Sequence, residues 1–365
     1  MLIPATSSFT EDTEIISVTI PPLYHDQNFT RALLHDVIPE LKEQRWQLLS
    51  SQVTEAQNHR QKQLVSCQIS YRHTAETCTR TANLIIKFYG ERGGDIAYNA
   101  LQQLQLARFK SPSRYRVPHP YGYGQEPTIL VQEKVGGQQW IRLLLDPHSD
   151  SHEAADRAAT WLIRLQQSSL IMQATETEES RTAKLHTQIH ALTTTFPSFA
   201  PRITTIGQLL QQQHASLGNA PLVPSHGDYH AGNVLLTPTT TTVIDFDAFG
   251  PRDAAFDVGY CIAQLLSMSY FRTGSLTPGA KAAARFWLAY NRQGGQARWP
   301  NVVKHVTATF VQILHYTLCA MQAERSDILP WWLAMIEQWL NSQHPSILDH
   351  FANGRSQDAL CHCCN

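Results

Sequence analysis

The sequence predicts an α+β protein, with a small antiparallel sheet first and a larger, mainly helical lobe after it. Two observations carry that expectation. Between residues 45 and 135, runs rich in β-branched and aromatic residues alternate with polar connectors, the pattern of a meander. From residue 149 onward apolar residues recur at helical spacing, interrupted once by a polar loop and two short strand-like runs.

In chain order, residues 1–44 read as an N-terminal extension. Within it, "FTRALLHDVIPELK" (29–42) has the spacing of a short amphipathic helix. The runs "RWQLLSSQV" (45–53), "QLVSCQISY" (63–71) and "TANLIIKFYG" (81–90) predict three strands. In "GGDIAYNALQQLQLARF" the glycines give a break, Asp95 is a candidate cap, and Ala97, Leu101 and Leu104 form a helical stripe. "YGYGQEP" reads as a turn, and "TILVQEKV" (128–135) as a further strand ended by Gly136 and Gly137. The sheet lobe is thus expected over 45–135.

The helical lobe is expected over 136–350. Residues 149–167 carry Asp150 and Glu153 at capping-box spacing ahead of an Ala/Trp/Leu stripe. Residues 179–195 and 203–217 read as helices with Gln-rich faces. The strand-like "NVLLT" and "TTVIDF" follow, then helices over 255–268, 279–291, 301–323 and 330–342. Trp331, Trp332 and Trp339 suit a core or the wall of a substrate pocket. Residues 351–365 read as a flexible tail. Its "CHCC" lacks the paired spacing of a zinc site.

Bulk composition narrows the function classes. Only 16% of the 365 residues are charged and the net charge is -1, which argues against a protein held to nucleic acid by bulk electrostatics. No run reaches the roughly 18 apolar residues of a membrane helix. The start lacks a basic segment followed by an apolar one, so no signal peptide is expected. Seven cysteines, mostly scattered, do not suggest a disulfide framework, and a reducing cytoplasm is the expected location.

The chemistry concentrates in "SHGDYHAGNVLLTPTTTTVIDFD", Ser225 to Asp247. Aspartate is a poor strand former, yet Asp245 and Asp247 flank Phe246 directly after a strand-like run. A divalent cation is the natural compensation for such charge. Asp228 and Asn233 stand at the D-x-x-x-x-N spacing of a kinase catalytic loop. Phosphoryl transfer needs such a set: a carboxylate for the attacking hydroxyl, oxygen ligands for Mg²⁺, and a cation for the phosphates.

"HGDYHAGNVLL" followed by "VIDFDAFGPRDAAFDVGY" resembles the aminoglycoside phosphotransferase and choline kinase-like family, which has a two-lobed, protein-kinase-like fold. The match runs through His226, Gly227, Asp228, His230, Asn233, Leu235, Ile244, Asp245, Phe246 and Asp247. The resemblance implies ATP and Mg²⁺ as cofactors and a small hydroxylated molecule as acceptor. It implies Asp228 as catalytic base, Asn233 and Asp245 as Mg²⁺ ligands, and Asp247 as a second metal ligand or a brace. His226 would fix the loop, and Asp257 would be the buried aspartate that follows. His230 would bond the loop or face the γ-phosphate. Lys87, inside an apolar strand, falls at the lysine that contacts the α and β phosphates. Backbone groups near Glu133 to Val135 would bond adenine.

Two features depart from the family. The loop "TEAQNHRQK" has no glycine where a glycine-rich lid would let backbone N–H groups approach phosphate. The glutamate that should pair with Lys87 falls near Ala97, leaving Asp95 or Glu91 as substitutes or Lys87 unpaired. These departures keep open a catalytically silent nucleotide-binding scaffold beside an active kinase. A protein kinase is disfavoured, because the segment after Asp245 is too short to dock a peptide. The acceptor stays open among sugars, amino alcohols and aminoglycoside-like molecules.

Overall fold

The computed structural model describes residues 27–59, 62–90, 93–146, 151–172, 176–217, 220–321 and 326–353. Asp150, Glu91 and the 351–365 tail from residue 354 on, with its cysteines, lie outside them. The chain forms two compact units. One comprises the described residues of Thr6–Gly137 together with Leu235–Phe249; the other those of Gln138–Val234 and Gly250–Asn365.

The first unit begins with helices α1 (Gln27–Val37) and α2 (Pro39–Lys42). The expected single helix over 29–42 is broken between them, because Ile38 is extended and Pro39 opens the second helix. Strands β1 (Trp46–His59), β2 (Lys62–His73) and β3 (Thr79–Tyr89) follow, then α3 (Asp95–Leu106), β4 (Tyr115–Arg116), β5 (Pro120–Gln125) and β6 (Thr128–Glu133). The antiparallel sheet runs β1-β2-β3-β6-β5. Its core face follows the two-residue alternation: Val65, Cys67, Ile69 and Tyr71 of β2, Leu84, Ile86 and Phe88 of β3, and Ile129 and Val131 of β6 pack with Leu33, Leu34, Ile38 and Leu41.

The stretch expected as a turn at "YGYGQEP" is instead mostly the edge strand β5, paired to β6 with Tyr123 opposite Leu130. The glycine there serves packing rather than turning. A Cβ on Gly122 would lie 2.1 Å from the Val37 carbonyl oxygen, so only glycine lets α1 approach the strand. Asp95 does not cap α3; Gly94 holds the cap position in the left-handed region with no side-chain bond. Ala97, Leu101 and Leu104 are buried.

The second unit holds β7 (Gln138–Gln139), α4 (Trp140–Leu145), α5 (Ser151–Gln166), α6 (Glu178–Thr195), α7 (Ala200–Leu217) and β8 (Leu222–Ser225). The chain then passes through β9 (Val234–Leu236) and β10 (Thr241–Val243) and re-enters this unit at β11 (Gly250–Asp253). Helices α8 (Ala255–Thr273), α9 (Thr277–Arg292), α10 (Trp299–His315), α11 (Leu329–Leu340) and α12 (Ser346–Ala352) complete it. The expected helix over 301–323 stops as an α-helix at His315 and continues as one π-helical turn, Tyr316–Ala320. Trp332 and Trp339 are fully buried, so they serve the core, while Trp331 stacks on Tyr270 at 4.3 Å. No helix among the described residues is long and apolar enough to cross a membrane.

Candidate active site

The helical unit carries one half of the motif. Strand β8 pairs with β11, and the loop from His226 to Asn233 leaves the end of β8. Asp257, in the first turn of α8, accepts hydrogen bonds from the backbone N–H of His226 (2.7 Å) and Gly227 (2.9 Å). The His226 ring accepts at Nδ1 from the Asp228 N–H, 3.2 Å away. Tyr229 is buried, stacks on Trp161 at 5.8 Å, and donates from its hydroxyl to the Ala158 carbonyl at 2.7 Å. The loop is therefore clamped through its backbone N–H groups, the His226 ring and the Tyr229 side chain.

Asp228 is buried among neutral donors. The Tyr260 hydroxyl donates to Oδ1 at 2.7 Å, and the Asn233 amide donates to the Asp228 carbonyl at 3.0 Å and to Oδ2 at 3.3 Å. His230 Nε2 lies 3.7 Å from Oδ2. Its Nδ1 accepts from the Gly232 N–H at 3.0 Å, which puts the proton of the neutral ring on Nε2. That buried N–H has no hydrogen-bond partner among the described residues. Burial, and then the neighbouring Asp228 carboxylate, push the Tyr260 hydroxyl well above the ordinary tyrosine range, so it remains a donor. Gln264 donates in turn to the Tyr260 oxygen at 3.1 Å. Asp257, Tyr260 and Gln264 recur at i, i+3 and i+7 on α8, a polar stripe on an otherwise apolar helix. The stripe is visible in the sequence; Tyr260 closes the stretch that carries the family resemblance, but neither it nor Gln264 is among the site residues the sequence predicts.

The sheet unit carries the other half. After β10, which pairs in parallel with β4, the chain turns at Asp245 with φ 69°, a conformation aspartate tolerates better than most residues. Phe246 and Phe249 are buried beneath this turn. Lys87 Nζ donates to Asp245 Oδ1 at 2.7 Å and lies 3.7 Å from Asp247. The Tyr89 hydroxyl donates to Asp247 Oδ1 at 2.8 Å, and Lys62 Nζ bonds Asp247 Oδ2 and lies 3.9 Å from Asp245. Burial draws the Lys87 ammonium toward neutrality, but Asp245 and Asp247 outweigh it and hold its pKa well above the ordinary lysine value.

Among the described residues, the ion pairs of Lys87 run to Asp245 and Asp247 and not to α3. At the expected adenine edge, the Glu133 N–H donates to the His119 carbonyl (2.8 Å) and the Lys134 N–H to the Asn83 carbonyl (2.7 Å). The Glu133 carboxylate takes Arg116 at 3.3 Å and the His119 N–H at 3.1 Å. Val135 takes part in none of these bonds. Within the sheet unit, the Asp245 and Asp247 carboxylates are oxygen donors of the kind Mg²⁺ takes. Within the helical unit, the Asn233 amide nitrogen is engaged by Asp228.

A sheet unit and a helical unit of this kind define a kinase-like fold, and solved structures share it. A choline/ethanolamine kinase family protein from Mesorhizobium loti superposes with a TM-score of 0.54 at 15% identity, covering 89% of this chain and 98% of that one. An amicoumacin kinase solved with AMP-PNP and Ca²⁺ gives 0.54 at 15% identity over 89% and 93%. A glucosamine kinase gives 0.54 at 17% identity over 86% and 83%. A search of curated protein sequences finds no match. The model of the phosphotransferase enzyme family matches residues 79–299, from β3 into the start of α10, and the chain belongs to that family.

Proposed function

We propose that this protein transfers the γ-phosphoryl group of ATP to a hydroxyl of a small, neutral or weakly basic metabolite. The observation that carries the reading is the environment of Asp228. It is a buried carboxylate held by Tyr260 and Asn233, and no lysine or arginine among the described residues pairs with it. Neutral donors orient the carboxylate without cancelling its charge, which leaves a positioned base. Asp228 Oδ2 takes the acceptor's hydroxyl proton as the acceptor oxygen bonds to the γ-phosphorus. The bond from that phosphorus to the β–γ bridging oxygen breaks, and ADP leaves.

The family pattern gives Asn233 and Asp245 to Mg²⁺, which when bound neutralises phosphate charge. Asp247 adds a further carboxylate and Lys87 a cation for the phosphates. His230 offers its Nε2 proton to an incoming oxygen. Val135 is the backbone position that remains for adenine. Among the described residues after α8, Glu337 is held by Arg202 at 2.5 and 2.7 Å. With Asp327 and Asp349 it is one of three acidic side chains described there, a sparse set for a polycationic drug, so a sugar, polyol or amino alcohol is the favoured acceptor. ATP as donor suits a cytoplasmic site of action.

The test is ADP release from Mg·ATP across sugars, polyols, amino alcohols and aminoglycosides, with Asp228→Asn as control. An acceptor-dependent signal lost in the variant supports the reading. A signal that persists in the variant removes Asp228 from the chemistry.

A further inference from the structure

Lys62 belongs to no part of the family pattern, yet its position is specified by the sheet. In the β2–β3 ladder Lys62 stands opposite Tyr89 and Leu64 opposite Lys87. Directly opposed residues share a face, so Lys62 and Lys87 are diagonal neighbours on the face away from the apolar core of Val65, Cys67, Ile86 and Phe88. Two ammonium groups so placed repel each other, and both are largely buried, with side-chain exposures of 12% and 8%. What compensates them is the pair Asp245 and Asp247, reached by Lys62 and Lys87 together. The four charges sum to zero.

A buried ion network of this kind contributes little net stability compared with apolar residues in the same space. Stability alone therefore gives the sheet little reason to carry a second lysine. A binding role does. A divalent ion on the two carboxylates competes directly with both lysines for the same oxygens, and a displaced lysine needs a new anion. A polyphosphate supplies one. The β1–β2 connection just before Lys62 has no glycine to bring backbone N–H groups to phosphate. Lys62 Nζ also sits 5.6 Å from the Tyr89 ring centroid, a contact that does not depend on Asp247.

We propose that Lys62 is a second polyphosphate-binding cation, which exchanges Asp247 for the β- and γ-phosphates of a nucleoside triphosphate and does the work of the missing glycine-rich lid. The proposal rests on the nucleotide reading above and predicts two effects of opposite sign. Lys62→Ala weakens Mg·ATP by about tenfold while leaving adenosine unchanged, because only the phosphates lose a partner. The same variant binds Mn²⁺ alone more tightly, by about threefold or more, because Asp247 loses its competing cation.

Calorimetry with Mg·ATP and adenosine, and electron paramagnetic resonance with Mn²⁺ alone, read both effects on the full chain. Lys62→Arg should recover most of the ATP affinity. Unchanged Mg·ATP binding in Lys62→Ala overturns the proposal, as does parallel weakening of ATP and adenosine, or weaker Mn²⁺ binding. Failure of the wild-type protein to bind Mg·ATP overturns the nucleotide reading, and this proposal with it.

Discussion

The two units treat their aspartates differently. In the sheet unit Asp245 and Asp247 are matched by cations, Lys87 and Lys62, with one hydroxyl from Tyr89. In the helical unit Asp228 and Asp257 are matched by dipoles: a tyrosine hydroxyl, an amide and backbone N–H groups. Cations cancel charge and can be exchanged for another cation. Dipoles fix orientation and leave the charge in place. The first arrangement suits a site that must admit a metal and phosphates, and the second suits a base and its support. A motif that reads as a row of aspartates in the sequence is thus divided into two kinds of carboxylate by what surrounds each.

The largest way to break this contrast is Asp228→Asn. Turnover should fall by about 10²–10⁴-fold while Mg·ATP still binds, measured by initial rates and calorimetry. Tyr260→Phe comes next. It removes one bond to a charged group and keeps the ring that stacks on Phe256, so kcat should fall by about tenfold or more with the ATP affinity unchanged. Loss of ATP affinity in step with kcat would instead mark Tyr260 as a packing residue.

A third prediction takes a cation-matched aspartate that lies within the helical unit, Asp253. It accepts from His305 Nε2 at 2.6 Å, and Lys304 lies 3.8 Å away. Burial raises its pKa, but His305 and Lys304 outweigh burial and hold it down to about 2. Burial also holds His305 below its ordinary value of 6.5, against the pull of Asp253. Both folded-state values are depressed, so the unfolded chain binds more protons and acid destabilises the fold. The Asp253 contribution is complete above its ordinary 3.8 and lost as pH falls toward 2. Asp253→Asn should cost on the order of 2 kcal/mol in urea unfolding at pH 7, with the gap to wild type closing below pH 4. A gap that does not change with pH would refute the linkage. The smallest effect is expected from Gln264→Leu, which touches Tyr260 but not Asp228: a kcat loss of about threefold, checked in the same rate assay.

Much of this was legible in the sequence because the signals are local. The loop from His226 to Asn233 and the turn at Asp245 are contiguous, so their chemistry shows in the spacing. The strands at β2 and β3 and the stripe on α3 follow simple periods. What did not show depends on pairing between distant segments. Lys62 becomes significant only once the ladder sets it opposite Tyr89. Tyr260 matters because α8 turns it toward a carboxylate 32 residues earlier. The edge strand β5 was hidden by glycines whose reason is the nearness of α1.

The most direct test of the division is to titrate Mg·ATP into Asp228→Asn and Asp245→Asn side by side. Asp228→Asn should bind with near wild-type affinity, and Asp245→Asn should lose the Mg²⁺-dependent part of its binding. Equal loss in both, or unimpaired Mg²⁺-dependent binding in Asp245→Asn, would contradict the assignment of base and metal carboxylates.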